Sequence, residues 1–130
     1  MKTIRILILE DDLKTLAILF DKLSVMEDKS DLYDFAVTIL SEYHQVEEYI
    51  NKKTDKDFDI ILLDRDCKAG GSFHILDFSR FSSNKIISIS SIPEYNEQAR
   101  NKGVKRIIWK DYENLDDFSN KVMKEIESLL

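Results

Sequence analysis

The chain alternates between short apolar runs and stretches in which apolar residues recur at helical spacing. Runs such as residues 60–63 are apolar without strict alternation, which is typical of a strand covered on both faces. We therefore predict five strands, over residues 4–9, 35–40, 58–63, 86–89 and 104–109.

Helical spacing is clearest near the two ends of the chain, where apolar residues fall on one face of each segment. These residues are Leu13, Leu16, Ala17, Phe20 and Leu23 in the first segment, and Leu115, Phe118, Val122, Ile126 and Leu129 in the last.

Three further helices are predicted between the strands. Ser41 would cap one that carries Tyr43, Val46 and Ile50, and Ser72 would cap one that carries Ile75, Leu76 and Phe78. The third is shorter, from about Pro93 to Lys102, and Gly103 would end it.

Strand and helix thus alternate five times, which predicts an α/β fold: a doubly wound, five-stranded parallel sheet with helices on both faces. The length of 130 residues suits one domain, and we expect residues 1–130 to form it without an output domain. Ligands of such sheets bind outside the carboxyl ends of the strands, where the strand order reverses.

The amino-acid composition limits the kinds of partner and the compartment that we expect for this protein. The net charge of −6 opposes direct binding to nucleic acid, and we interpret the basic residues between positions 100 and 110 as a solvated face. Cys67 is the single cysteine, which indicates a reducing compartment. No segment is apolar over a length that spans a bilayer, and the first residues lack a signal peptide. We expect a cytoplasmic protein without membrane contact.

Polar residues follow the predicted strands. Glu10, Asp11 and Asp12 follow the first, Asp64 and Asp66 the third, Ser90 closes the fourth and Lys110 follows the fifth. Carboxylates suit Mg²⁺, and a cation with a lysine and a hydroxyl can stabilise transfer of a phosphoryl group to a carboxylate. Taken singly, Asp11 or Asp12 could cap the first helix, Ser90 could be a capping hydroxyl, and Lys110 could be a surface lysine.

The chain resembles the receiver domain of two-component response regulators, in a stand-alone form with the flavodoxin-like fold. The resemblance rests on residues 5–12, 59–64, 86–91 and 103–110. It implies that Glu10, Asp11, Asp64 and the backbone carbonyl of Asp66 hold Mg²⁺, with Glu10 acting through water. Asp64 would accept the phosphoryl group, and Ser90 and Lys110 would bind its oxygens.

What this resemblance implies about partners is a histidine kinase or phosphotransfer protein as donor. A downstream protein would recognise the surface around the fourth helix, fifth strand and fifth helix. The domain would promote only its own phosphorylation and dephosphorylation rather than act as an enzyme on other substrates. Whether phosphorylation promotes homodimers stays open.

Three departures from the family pattern concern the switch. Asp111 follows Lys110 where the family has a cis proline, so we predict a trans bond there. Ile107 replaces the usual aromatic residue, and the loop at residues 65–71 lacks the usual proline. Asp66 would change the lifetime of the phosphoryl group, by repelling or misorienting water or by assisting the metal, unless it is simply a solvated loop acid.

Two other functions are weighed. Asp64-Arg65-Asp66 also resembles the nucleophile and acid of haloacid-dehalogenase-type phosphatases, but Lys68 stands where that family has threonine or valine. A non-phosphorylated pseudo-receiver that only docks partners would explain the altered switch. Trp109, the single tryptophan, is predicted to pack in the last strand beside Lys110.

Overall fold

A computed structural model describes residues 1–66 and 73–130 of the chain. Its strands are β1 (Lys2–Leu9), β2 (Tyr33–Leu40), β3 (Ile60–Asp64), β4 (Ile86–Ser90) and β5 (Arg106–Trp109). Its α-helices are α1 (Leu13–Asp28), α2 (Pro93–Asn101) and α3 (Leu115–Leu129). All five predicted strands are confirmed, with shifts of a few residues at their ends.

The strands form one parallel sheet in the order β2-β1-β3-β4-β5. The chain leaves β1 for the strand on one side and then returns to pair β3 on the other side, so the strand order reverses next to β1. This is the doubly wound arrangement that the sequence predicts, and it places a crevice at the carboxyl ends of β1 and β3.

The alternation of side chains divides the core into two layers. Ile8, Leu62 and Ile108 point to the face that α1 and α3 cover, where Leu19 and Phe118 are buried. On the opposite face, Leu9, Leu63 and Ile86 pack against Val46, Phe73 and Ala99. Helical segments therefore cover both faces, and every residue of β3 and β4 is buried, which explains their uninterrupted apolar runs.

The second and third predicted helices are much shorter than expected. The segment after Ser41 forms one π-helical turn, Val46–Ile50, without a side-chain cap, so the prediction that Ser41 caps a helix is wrong. Val46 and Ile50 are its buried apolar anchors, and four residues of spacing need only a single turn.

The other short segment is a 3₁₀ turn, Phe73–Ile75. Asn51 donates a hydrogen bond from Nδ2 to the carbonyl of Ile75 over 2.9 Å, and its Oδ1 accepts from the amide of Asp77 over 2.8 Å. Backbone groups that would continue a helix are therefore bonded to Asn51 instead. The predicted cap Ser72, together with Cys67 and Lys68, lies outside the described residues.

Helix ends explain the sharp element boundaries elsewhere. The carboxylate of Asp12 caps α1 by accepting from the amide of Thr15 at 3.0 Å and from its hydroxyl at 2.6 Å. Gly103 follows α2 with a φ of +90°, which favours glycine, and so confirms the predicted stop. Asn114 caps α3 through the amide of Asp117.

Two predictions near β5 have opposite outcomes. The bond between Lys110 and Asp111 is trans, as predicted, since the described part of the chain contains no cis peptide. The prediction that Trp109 packs is wrong, because its side chain is 62% exposed. The physical reason is side-chain alternation: Ile108 points to the face that α1 and α3 cover and is buried, so Trp109 points to the opposite face, at the end of the edge strand, where it is left open. Among the described helices, none is long and apolar enough to cross a membrane.

Candidate functional site

Four of the predicted side chains meet at the carboxyl edge of the sheet. Carboxylate oxygens of Glu10, Asp11 and Asp64 lie within 4.8 Å of one another. Lys110 joins them from the end of β5, with its Nζ 2.7 Å from Glu10 Oε1 and 3.5 Å from Asp64 Oδ1. We call Glu10, Asp11, Asp64 and Lys110 the acidic cluster.

The sheet positions these groups by simple alternation. Glu10, Asp64 and Lys110 each come two residues after an apolar residue that faces α1 and α3, so they continue the same face beyond or at the end of the strand. All three are almost fully buried. Buried charges of this kind persist only when they are paired or hold a cation.

The backbone after β1 fixes the orientation of Glu10. Its Oε2 accepts hydrogen bonds from the amides of Asp11 and Asp12, at 2.9 and 3.1 Å, while Oε1 accepts from Lys110. Asp12 itself turns away to cap α1, so of the three consecutive acids only Glu10 and Asp11 belong to the acidic cluster.

Electrostatics distinguish Asp64 from an ordinary aspartate. Burial, and after it the nearby Glu10, raise its pKa to about 9, although Lys110 and the Asp66 amide act in the opposite direction. Burial alone would lower the pKa of Lys110, but Asp64 and Glu10 outweigh it, so that pKa lies above its usual value. Lys110 therefore carries its positive charge at neutral pH. One ammonium group does not compensate the negative charge that Asp64 and its neighbouring carboxylates would carry together.

Donor chemistry at the cluster suits a divalent cation. With every group ionised, three carboxylates and one ammonium carry a net charge of −2. Asp64 Oδ2 is buried and accepts no hydrogen bond within the described ranges. A hard cation such as Mg²⁺ prefers carboxylate oxygens, and it would supply both the missing charge and a partner for that oxygen.

Asp66 and Ser90 form a second group beside the cluster. Asp66 Oδ1 accepts a hydrogen bond of 2.5 Å from the Ser90 hydroxyl. Its Oδ2 accepts from the Ser91 amide at 2.7 Å and from the Tyr112 hydroxyl at 3.3 Å. Asp66 is half-buried, so the interpretation as a solvated loop acid is wrong. Ser90 is at the predicted strand end, but its hydroxyl is bonded to Asp66.

The Asp66 backbone and side chain point to different partners. The Asp66 amide donates to Asp64 Oδ1 over 3.0 Å, which ties Asp66 to the acidic cluster. Its side chain is bonded to the Ser90 group and is not among the carboxylates that gather within metal-ligand distance in the described residues. A role of its carbonyl as a metal ligand stays a prediction.

Arg65 is a site residue that the sequence did not single out. Its side chain is buried, and it donates from Nη2 to Gln98 Oε1 over 2.8 Å. The guanidinium carbon lies 5.2 Å from the ring centroid of Tyr95, and burial lowers the pKa of the group. Gln98 and Tyr95 both belong to α2, so the residue after Asp64 contacts that helix directly.

Tyr112 is the second residue that was missed. Its hydroxyl donates to Asp66, and the Lys110 ammonium lies 4.9 Å from its ring centroid. Tyr112 is 49% exposed, and the part of the ring that is covered raises the pKa of its hydroxyl to about 12. The available signal was its position two residues after Lys110, which by itself predicts only a loop tyrosine.

Sheet order and crevice together define the class of fold, a doubly wound parallel sheet. Solved structures with a similar fold include two response regulators. The bacteriophytochrome response regulator AtBRR superposes with a TM-score of 0.64 at 16% identity, covering 99% of this chain and 94% of that one. The bacteriophytochrome response regulator RtBRR gives 0.63 at 19% identity, covering 98% of this chain and 78% of that one.

The chain therefore has the fold of response-regulator receiver domains, as its sequence predicts. No protein-family model matches the sequence. No curated protein matches it either. At these identities the likeness concerns the fold, and the chemistry of the site has to be argued from its own residues.

Proposed function

We propose that this chain is a receiver that accepts a phosphoryl group on Asp64 in a Mg²⁺-dependent reaction. The observation that carries the proposal is the acidic cluster: three carboxylates and one buried lysine at the edge of the sheet where receivers carry their site. The donor would be a phosphohistidine of a histidine kinase or of a phosphotransfer protein.

Asp11 and Asp64 are the carboxylates suited to contact the cation directly. Both oxygens of Glu10 already accept hydrogen bonds, which favours a contact through a water molecule for that residue. When bound, Mg²⁺ would neutralise the repulsion between the carboxylates and an incoming phosphoryl group.

Transfer requires an ionised Asp64, so the proton that the metal-free site holds at neutral pH is released to solvent first. An oxygen of Asp64 then attacks phosphorus, the P–O bond forms and the P–N bond to histidine breaks. The electron pair of that bond returns to the imidazole, which is released as the leaving group. Lys110 is held between Glu10 and Asp64, so its ammonium is positioned to bind a phosphoryl oxygen.

Signalling would then depend on protein contacts rather than on turnover of a further substrate. The surface formed by α2, β5 and α3 is the expected docking face, and Trp109 is exposed on it. The chain would be an acceptor rather than an enzyme in the ordinary sense.

One observation favours a second candidate, the non-phosphorylated pseudo-receiver. The hydroxyl of Ser90, which the first proposal assigns to the phosphoryl group, is already bonded to Asp66 over 2.5 Å. A docking module that never meets a phosphoryl donor could keep that bond permanently.

Incubation with acetyl phosphate and Mg²⁺, followed by mass spectrometry of the intact chain and of its peptides, tests the proposal. We expect one added phosphoryl group at Asp64, and none when EDTA removes the metal before the donor is added. Asp64→Asn should not be labelled. Asp12→Asn is the matched control, because Asp12 is a neighbouring carboxylate that caps α1 outside the cluster.

Labelling that persists in Asp64→Asn, or that is equal with and without Mg²⁺, would contradict the assignment of the site. If wild type shows no labelling at high donor concentration, and Mg²⁺ causes no amide shifts around Asp64 and Glu10, the pseudo-receiver is the better function.

A further inference from the structure

The carboxylate of Asp66 collects three hydrogen-bond donors from two different loops. They are the Ser90 hydroxyl and Ser91 amide at the end of β4, and the Tyr112 hydroxyl beyond β5. Three converging donors form a binding site for an anion, since each offers its hydrogen to the same place. In this chain the anion at that place is the protein's own Asp66 carboxylate.

From this arrangement we infer that Ser90, Ser91 and Tyr112 form an anion-binding cradle that Asp66 fills from within, holding it closed until a phosphoryl group displaces it. The inference rests on the proposed function for the identity of the displacing group, but the cradle itself is defined by its own contacts. It adds Tyr112 to the groups that would bind the phosphoryl oxygens.

Position places the cradle next to the acceptor. Asp64 lies opposite Ile89 in the sheet register, one residue before Ser90. The Asp66 amide is bonded to Asp64, and the ring of Tyr112 lies beside the Lys110 ammonium. A phosphoryl group on Asp64 would therefore lie between Lys110 and the three donors.

Occupation by Asp66 and by a phosphoryl oxygen is mutually exclusive. The Ser90 hydroxyl, the Ser91 amide and the Tyr112 hydroxyl each have one hydrogen to donate. The Asp66 carboxylate and a phosphoryl group also carry like charge, so crowding both into the cradle is unfavourable. Phosphorylation would then require the Asp66 side chain to leave its three partners.

Because residues 65 and 66 are adjacent, displacement of the Asp66 side chain would be felt at helix α2. Arg65 is anchored to α2 through Gln98, and Asp66 is the next residue along the chain. Movement of the Asp66 side chain away from Ser90 would strain or shift the segment that holds α2. This route does not need an aromatic residue at Ile107.

The first test uses beryllofluoride with Mg²⁺ as the probe of a phosphoryl group on the full chain. We expect Asp66→Ala to bind beryllofluoride more tightly than wild type, by on the order of tenfold, because no internal carboxylate has to be displaced. Asp66→Asn keeps an acceptor without the charge and should fall between them.

Asp111→Asn is the matched control for charge. Asp111 directly follows Lys110 and its Oδ1 accepts from the Glu113 amide, away from the cradle donors. An equal gain in Asp111→Asn would show that loss of any nearby negative charge suffices, and would overturn the inference.

The second test needs no metal and no acceptor chemistry, so it separates the cradle from the proposed function. Inorganic phosphate is titrated into metal-free wild type and Asp66→Ala while the Ser91 amide and the Tyr112 ring are followed by NMR. We expect saturable shifts of both in Asp66→Ala and none in wild type, and a weaker response in Asp66→Ala with Tyr112→Phe.

The outcomes distinguish the two proposals. If wild type binds beryllofluoride at Asp64 but Asp66→Ala binds it no better, the receiver function stands. The inference that Asp66 must be displaced from the cradle is then wrong. If beryllofluoride binds neither protein, the receiver function fails, and the phosphate titration alone decides about the cradle. Absence of phosphate-dependent shifts in folded Asp66→Ala and Asp66→Asn would overturn it.

Discussion

At the scale of single residues, Asp64 departs furthest from ordinary behaviour. Burial and Glu10 together raise its pKa to about 9, against an ordinary value of 3.8. Between these two values the folded metal-free chain holds a proton that the unfolded chain releases. Its contribution to stability is therefore complete below pH 3.8 and is lost as the pH rises through about 9.

Replacement of Asp64 by Asn should remove this pH dependence. We expect Asp64→Asn to be more stable than metal-free wild type at pH 7, by about 1–3 kcal/mol, because the buried group no longer has to take up a proton on folding. The difference should shrink towards pH 4 and grow towards pH 9. Urea unfolding of both proteins in EDTA across this range measures it, and parallel pH profiles would contradict the expectation.

At this scale the acidic cluster could be predicted from the sequence, whereas the hydrogen bond between Ser90 and Asp66 could not. Glu10, Asp11, Asp64 and Lys110 follow apolar strands, so strand ends and parallel topology suffice to bring them together. Ser90 was placed correctly along the chain, but its partner was not foreseen. The bond to Asp66 depends on a side-chain rotamer across two loops, which no periodicity encodes.

At the scale of elements, α2 is tied to the strand that carries the acceptor. The Arg65 guanidinium is buried, donates to Gln98 and lies over Tyr95, so the first residue after Asp64 is clamped to one turn of this helix. A buried guanidinium needs its hydrogen bonds, because leaving one unmade costs the desolvation of a charged group.

Removing the Gln98 side chain should loosen α2 selectively. We expect Gln98→Ala to lower the free energy of unfolding by about 1–3 kcal/mol and to speed amide hydrogen exchange in α2 more than in α1 or α3. Glu97→Ala is the control, since Glu97 is exposed on the same helix and pairs with Arg100 at the surface. Equal exchange rates in the two variants would show that Arg65 does not anchor the helix.

Elements with a strong apolar period were predictable, and those without one were not. The strands, α1 and α3 follow from their apolar patterns, whereas α2 follows from Pro93 at its start and Gly103 at its end. The short turns at Val46–Ile50 and Phe73–Ile75 were expected to be longer helices. Asn51 takes the backbone groups that would extend the second of these, and such a long-range side-chain bond leaves no local pattern.

At the scale of the whole molecule, the two faces of the sheet have different tasks. The acidic cluster continues the face that α1 and α3 cover, whereas Arg65 and its α2 contacts lie towards the other face. The carboxyl end of β3 therefore joins the site on one side of the sheet to α2 on the other. A phosphoryl group could influence the α2–β5–α3 surface across the width of a single strand.

One further feature of the sheet concerns its other border. Strand β2 is an edge, and the Phe35 amide, which faces outward, donates to the Glu27 carboxylate at 2.7 Å. By alternation the amides of Val37 and Ile39 face the same way, and both side chains are more than a third exposed. An apolar edge with open donors is a template on which another chain can add a strand.

We therefore expect Glu27 to oppose self-association at the β2 edge of the sheet, because its carboxylate occupies the Phe35 amide. We expect Glu27→Ala to self-associate at lower protein concentration than wild type, because a third consecutive outward amide becomes available for pairing. Glu27→Gln should retain the block through its amide oxygen. Sedimentation velocity over a concentration series measures this, and identical profiles for all three proteins would show that the edge protects itself without the glutamate.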